Sequence, residues 1–177
     1  MDLKIKKLVY LALFTALCTV ATIAIPIPTP TGGYLNAGDI VVVLAALFTG
    51  PVCGSLIAGL GSAAADLFAG YAIYAPGSLL AKGMAAAAIG LVFRAGRRQA
   101  AEKILSASVC GELLMVLVYF CYEALALGFG PAAAAEIPGN VLQGIVGTAG
   151  GGALYHALMR VPEIRTFSET VFYKKEK

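Results

Sequence analysis

From Leu8 to Gly38 the chain runs for 31 residues without a charged side chain. A helix of about 20 apolar residues crosses the hydrocarbon core of a bilayer, so this run alone is long enough for one span and a connecting loop. The rest of the chain has the same character. Hydrophobic residues make up 59% of the 177, charged residues 13%, and the mean hydropathy is +0.84. Soluble domains carry about 25% charged residues, and this chain has too few polar groups to cover a water-facing surface. The composition excludes an ordinary soluble enzyme, a disordered chain, and a protein that binds nucleic acid through surface charge. An all-α integral membrane protein is expected.

Six spans fit the pattern. The first covers about 8–25 and is ended by Pro26, Pro28 and Pro30, which cannot continue a helix. The second, about 39–50, is short and stopped by Gly50-Pro51, so it is broken or only just spans. The others cover about 52–70, 77–93, 104–127 and 139–159, with a tail at 160–177. Loops are short, so residues 1–177 are read as one membrane domain. The basic start resembles a signal peptide, but the long first apolar run and five further spans keep it in the mature chain.

Twelve of the 13 Lys and Arg residues fall in three clusters. Lys4, Lys6 and Lys7 precede the first span. Arg94, Arg97, Arg98 and Lys103 separate the fourth and fifth. Arg160, Arg165, Lys174, Lys175 and Lys177 follow the sixth. Six spans put all three clusters on one side, which the positive-inside rule identifies as the cytoplasm. Both termini are therefore expected there, and the loops 26–38, 71–76 and 128–138 outside.

Lys82 is the exception. Insertion of a charge at mid-bilayer costs about 2.5–3.5 kcal/mol, so Lys82 is expected to face a partner or a polar space. Asp66 stands at similar depth in the outer half, and the two could form an ion pair; Lys82 could also snorkel to the headgroups. Glu123 is near the outer end of the fifth span. Asn140 and Gln143 share a face at the outer start of the sixth. Tyr34, Tyr71 and Tyr74 lie in the outer loops, with Tyr119 and Tyr122 on the fifth span. Apolar walls, a few polar groups and stacking rings suit a small, flat, polar ligand; the tyrosines also suit an interfacial belt. Glu112 is mid-span, apart from this group, and either pairs within the core or lines a deeper path.

Small residues recur every four positions at Gly50, Gly54, Ala58 and Ser62, leading to Asp66. A second stripe runs through Asn140, Gly144, Thr148 and Gly152 to His156. Such stripes let membrane helices pack closely. Ala12 and Ala16 offer a shorter version on the first span. Cys18, Cys53, Cys110 and Cys121 form no C-x-x-C pair, so no metal site or disulfide framework is read from them. His156 is the only histidine. No nucleophile–histidine motif, H-E-x-x-H or P-loop is present, so no catalytic residue, metal or cofactor is expected.

Together these residues resemble the substrate-binding S-components of energy-coupling factor (ECF) vitamin transporters. The resemblance rests on six short-looped spans, on Ala12-Leu13-Phe14-Thr15-Ala16, and on the segment from Thr29 to Asp39 followed by Gly70-Tyr71-Ala72-Ile73-Tyr74-Ala75-Pro76 and Lys82-Gly83. It covers about residues 5–160 and is nearest the riboflavin, hydroxymethylpyrimidine and queuosine-precursor types. It implies a multi-pass protein of a bacterial plasma membrane, not an enzyme, that binds a vitamin or precursor from outside. A separate transmembrane coupling protein would dock on Ala12 and Ala16, and two cytoplasmic ATPases would drive release. The loop from Pro26 to Gly38 would be the lid. Asp39 is either an N-cap on the second span or a lid latch or ligand contact. Tyr34, Asn36, Asp39, Asp66, Tyr71, Tyr74, Lys82, Glu123, Asn140 and Gln143 are the candidate binding residues. They suit a hydroxymethylpyrimidine- or pyridoxine-like heterocycle first, then a deazaguanine-type queuosine precursor, then riboflavin. A stand-alone secondary transporter or proton-coupled channel using Asp66, Lys82 and Glu112, and a non-transporting assembly subunit, are the competing readings.

Overall fold

A computed structural model describes residues 3–29, 32–95 and 100–173. Pro30, Thr31, Arg97, Arg98, Lys174, Lys175 and Lys177, all used above, lie outside the described residues. Helix α1 spans Leu3–Ala24, α2 Gly38–Thr49, α3 Pro51–Ala69, α4 Ala75–Ala95, α5 Ala100–Cys121, α6 Ile137–Leu158 and α7 Pro162–Ser168. Two-residue strands β1 (Ile27–Pro28) and β2 (Tyr34–Leu35) pair antiparallel in the first outer loop. This hairpin is the one departure from an all-α reading among the described residues.

Four helical segments are both long and apolar enough to cross a membrane: Lys4–Ala24, Pro51–Ala69, Ala75–Ala95 and Ala101–Ala126. Helix α6 matches them in length, at 22 residues, but carries Asn140, Gln143 and six glycines. Helix α2 has only 12 residues, about 18 Å at 1.5 Å per residue, against a hydrocarbon core of about 30 Å. Gly50 ends it at φ +81°, a left-handed conformation that costs glycine no steric penalty, and Pro51 starts α3 at a position where its missing N–H is harmless.

The space under the short α2 is filled by the tail. Phe172 packs with Phe48 and Cys53. The Ser168 hydroxyl donates to the Phe48 carbonyl at 2.9 Å, and the Tyr173 hydroxyl to that of Leu47 at 2.5 Å. These are carbonyls that a helix end leaves without intrahelical partners.

Polarity is inverted relative to a soluble protein. Leu125, Phe68 and Val52 are 83%, 79% and 71% exposed, while Lys82 and Asp39 are 2% and 1% exposed. Water would penalise that exterior, and a bilayer would not.

The first small-residue stripe is at a helix interface: Gly54, Ala58 and Ser62 are buried, and a Cβ on Gly54 would sit 2.7 Å from Ala46 Cα of α2. The second stripe is buried at Asn140, Gly144 and Gly152, with Thr148 half-buried between them. The buried face of α6 also holds Gln143, Gly147 and Gly151, with Gly147 against Asp39 and Gly151 against Ile40. His156 is exposed beside Arg160, 3.2 Å away. Helix periodicity is 3.6 residues, so a strict four-residue step has drifted off the contact face by His156.

Candidate functional site

The loop ends opposite the basic clusters converge. The hairpin turns back over the helix ends, and Leu35 lies against Gly139 at the start of α6. Two hydrogen bonds fasten it there. The Tyr34 hydroxyl donates to Asp66 Oδ1 at 2.7 Å, and the Asn36 backbone N–H donates to Gln143 Oε1 at 2.7 Å. The Tyr34 ring packs on Tyr71, centroids 4.4 Å apart. Burial, and then the bond to Asp66, push the Tyr34 phenol above its usual range, so it remains a donor at neutral pH. The Asn36 side chain accepts from Gly38 N–H at 2.9 Å, an Asx turn that launches α2.

Beneath the hairpin is a cavity of about 30 Å³ lined by Tyr34, Asn36, Asp66, Tyr74, Glu123, Asn140 and Gln143 among others. Seven of the ten candidate residues thus meet on one space. Tyr71 lies beside it, against Tyr34. Ser78 and Glu136 also line it and escaped the sequence reading, and Tyr119, noted there among the rings, joins them. Ser78 lies one turn before Lys82 and bonds Tyr119 at 2.7 Å. Glu136 immediately precedes α6, one turn before Asn140; its position was the available signal. Glu123 belongs to a π-helical turn, Tyr122–Ala126, that ends the fifth helix and buries it; such turns often mark functional places. Tyr74 and Tyr119 are buried, so neither forms part of an exposed belt.

Asp39 and Lys82 are set behind the cavity wall. Lys82 pairs with Asp39, not Asp66: its ammonium donates to both Asp39 oxygens at 2.5 and 2.7 Å. At 2% exposure it does not snorkel. The N-cap reading of Asp39 also fails, because Ala37 is the cap and makes no side-chain bond. Asp39 instead points inward from the first turn of α2. There Gln143 Nε2 donates to its Oδ2 at 2.7 Å. The Gln143 amide, with nitrogen committed to Asp39, must present its oxygen to the hairpin. One side chain therefore links the buried ion pair to the lid.

Glu112 is buried, and neither carboxyl oxygen has a hydrogen-bond partner among the described residues. It lies against Gly144 and Gly147 and lines a second, larger space of about 600 Å³ between α5 and α6. That groove is walled by Leu105, Leu113, Val116, Val141 and Ile145. Its size exceeds that of the outer cavity, but its lining offers a polar ligand few partners.

Ala12 and Ala16 are exposed on α1, with Leu8, Leu13 and Val20 around them at 68%, 59% and 63% exposure. The opposite face is fixed to α3, where the Thr19 hydroxyl donates to the Gly61 carbonyl at 2.9 Å.

The hairpin latch carries a prediction. Tyr34→Phe leaves Asp66 Oδ1 without its donor, a loss of about 1–3 kcal/mol. Hydrogen exchange at the amides of residues 33–36 is expected to rise roughly ten-fold or more, with exchange in α3 and α4 unchanged. Wild-type exchange in the hairpin would mean that the bond does not hold it.

Comparison with known proteins adds two findings. The family model of the ECF-type riboflavin transporter, S component, matches residues 2–160. A protein of Pyrococcus woesei, described only as an uncharacterized protein in the gap 3′ region, is 36% identical over 143 residues, covering 80% of this chain and 94% of that one.

Proposed function

The chain belongs to the family of ECF-type riboflavin transporter S components, and from that premise we propose how it takes up its substrate. It is the substrate-binding subunit of an ECF transporter and a multi-pass membrane protein. In our reading α1 to α6 each traverse the bilayer and both termini are cytoplasmic; the three basic clusters support that orientation. The substrate is a small water-soluble vitamin or nitrogen-heterocycle precursor, taken from outside into the cavity beneath the hairpin.

A cavity of about 30 Å³ has room for about one water. Capture of a vitamin then requires the hairpin to lift, breaking the Tyr34–Asp66 and Asn36–Gln143 bonds, and to close again over the ligand. Tyr34, Tyr71 and Tyr74 supply ring surfaces. Asn36, Asn140 and Gln143 supply amides, and Asp66 and Glu123 accept hydrogen bonds. Asp39 and Lys82 hold the wall behind Gln143. A hydroxymethylpyrimidine- or pyridoxine-like ring is our first candidate, and a deazaguanine-type queuosine precursor the second. Riboflavin is the reading that the family description favours. A transmembrane coupling protein docks on the Ala12–Ala16 face of α1, and two cytoplasmic ATPases drive inward release.

The observation that carries this reading is the convergence of the hairpin and the outer helix ends on one polar cavity inside an apolar exterior. A thermal-shift screen of the purified chain against these compounds tests it, since a ligand of the folded state adds RT ln(1 + [L]/Kd) to its stability. A saturable shift by one of them is expected. A folded protein that none of them stabilises would count against capture.

A further inference from the structure

The outer cavity is rich in carboxylates and has no basic side chain among the described residues of its lining. Asp66, Glu123 and Glu136 all line it. Asp66 and Glu123 are each 3% exposed, and Asp66 Oδ2 and Glu123 Oε2 have no hydrogen-bond partner among the described residues. Buried acceptors are rarely left so, because each costs its desolvation without return. The sequence excludes a hidden cation. Apart from Lys82, no Lys or Arg occurs anywhere in 8–93 or 104–159. Lys82 itself is spent on Asp39 behind the wall. Backbone and amide donors exist, but Gln143 Nε2 is also committed to Asp39.

Resting on the capture reading, we propose that this cavity selects its ligand by charge. It takes an amine- or amidine-bearing heterocycle whose N–H groups, neutral or protonated, satisfy Asp66 and Glu123. It rejects forms bearing a phosphate or carboxylate. An anion brought against Asp66 and Glu123 in a low-dielectric space meets repulsion that no basic side chain among the described lining residues offsets. A protonated amine in the same place gains charge-assisted hydrogen bonds. The same cavity thereby separates a free vitamin from its phosphorylated cellular form.

Matched pairs test this: thiamine against thiamine monophosphate, pyridoxamine against its 5′-phosphate, and riboflavin against its 5′-phosphate, by calorimetry on the full chain in detergent. In whichever pair binds, the phosphate form is expected to bind at least roughly 100-fold more weakly. Glu123→Gln is expected to weaken the unphosphorylated member and to narrow that ratio roughly ten-fold, with thermal stability of the unliganded protein as the folding control. Equal or tighter binding of a phosphate form overturns charge selection and leaves capture standing. A wild-type ratio in a folded Glu123→Gln protein also overturns it. A folded wild-type chain that binds none of the six compounds, and that no compound of the thermal-shift screen stabilises, overturns the capture reading itself.

Discussion

Replacing Lys82 with methionine is expected to lower the melting temperature of the purified chain by roughly 10 °C. The substitution keeps the length of the side chain and removes its charge. Asp39, 1% exposed, is then a buried carboxylate whose strongest partner is gone, a defect worth about 3–5 kcal/mol. The Gln143 amide still donates to it but cannot balance its charge. The double change Lys82→Met with Asp39→Asn is expected to recover most of the loss, because it removes the uncompensated charge as well as the pair. Recovery would identify the defect as electrostatic; a double variant no better than the single would make it steric. The single variant melting like wild type would contradict the buried pair. Hairpin exchange is an independent readout, since Gln143 reaches the hairpin only in the orientation that Asp39 sets.

Tryptophan at Ala12 or Ala16 is expected to abolish assembly with the coupling protein while leaving ligand binding intact. Both alanines face outward on α1, and the helix is held to α3 from its other side. The substitution therefore has little within the chain to disturb. A partner helix that packs closely over small residues would meet an indole instead. Overpacking costs about 1–3 kcal/mol per site, roughly ten- to 100-fold in affinity. Co-purification with a tagged coupling protein reads the first effect, and the thermal shift with ligand reads the second. Full assembly by both variants would remove α1 from the docking face. Loss of both assembly and binding would mean that the helix supports the fold instead.

The helices were legible because their signals are local. Long apolar runs, proline stops and clustered lysines and arginines mark α1 to α6, and observed ends lie within a few residues of expectation except at the start of α1 and at both ends of α5, while α7 falls in the segment expected to be a tail. The pairing of Lys82 was not legible. Asp66 and Asp39 both lie near the outer ends of helices, and one-dimensional depth cannot separate them. What separates them is the turn at Asn36 and Gly38, which rotates Asp39 toward α4, and the hairpin, which gives Asp66 to Tyr34. The hairpin itself escaped because two paired residues per strand carry no periodicity to read. Glu136 was passed over among loop residues, though its position just before α6 puts it over the cavity.

The most direct test of the account is uptake in proteoliposomes. The chain is reconstituted alone, with the coupling protein, and with coupling protein and ATPases, and ATP-dependent accumulation of the radiolabelled ligand found by thermal shift is followed. Binding by the chain alone, and accumulation only when every partner and ATP are present, is the predicted result. Net flux of the ligand through the chain alone, driven by a proton or substrate gradient, would contradict it and restore the stand-alone transporter.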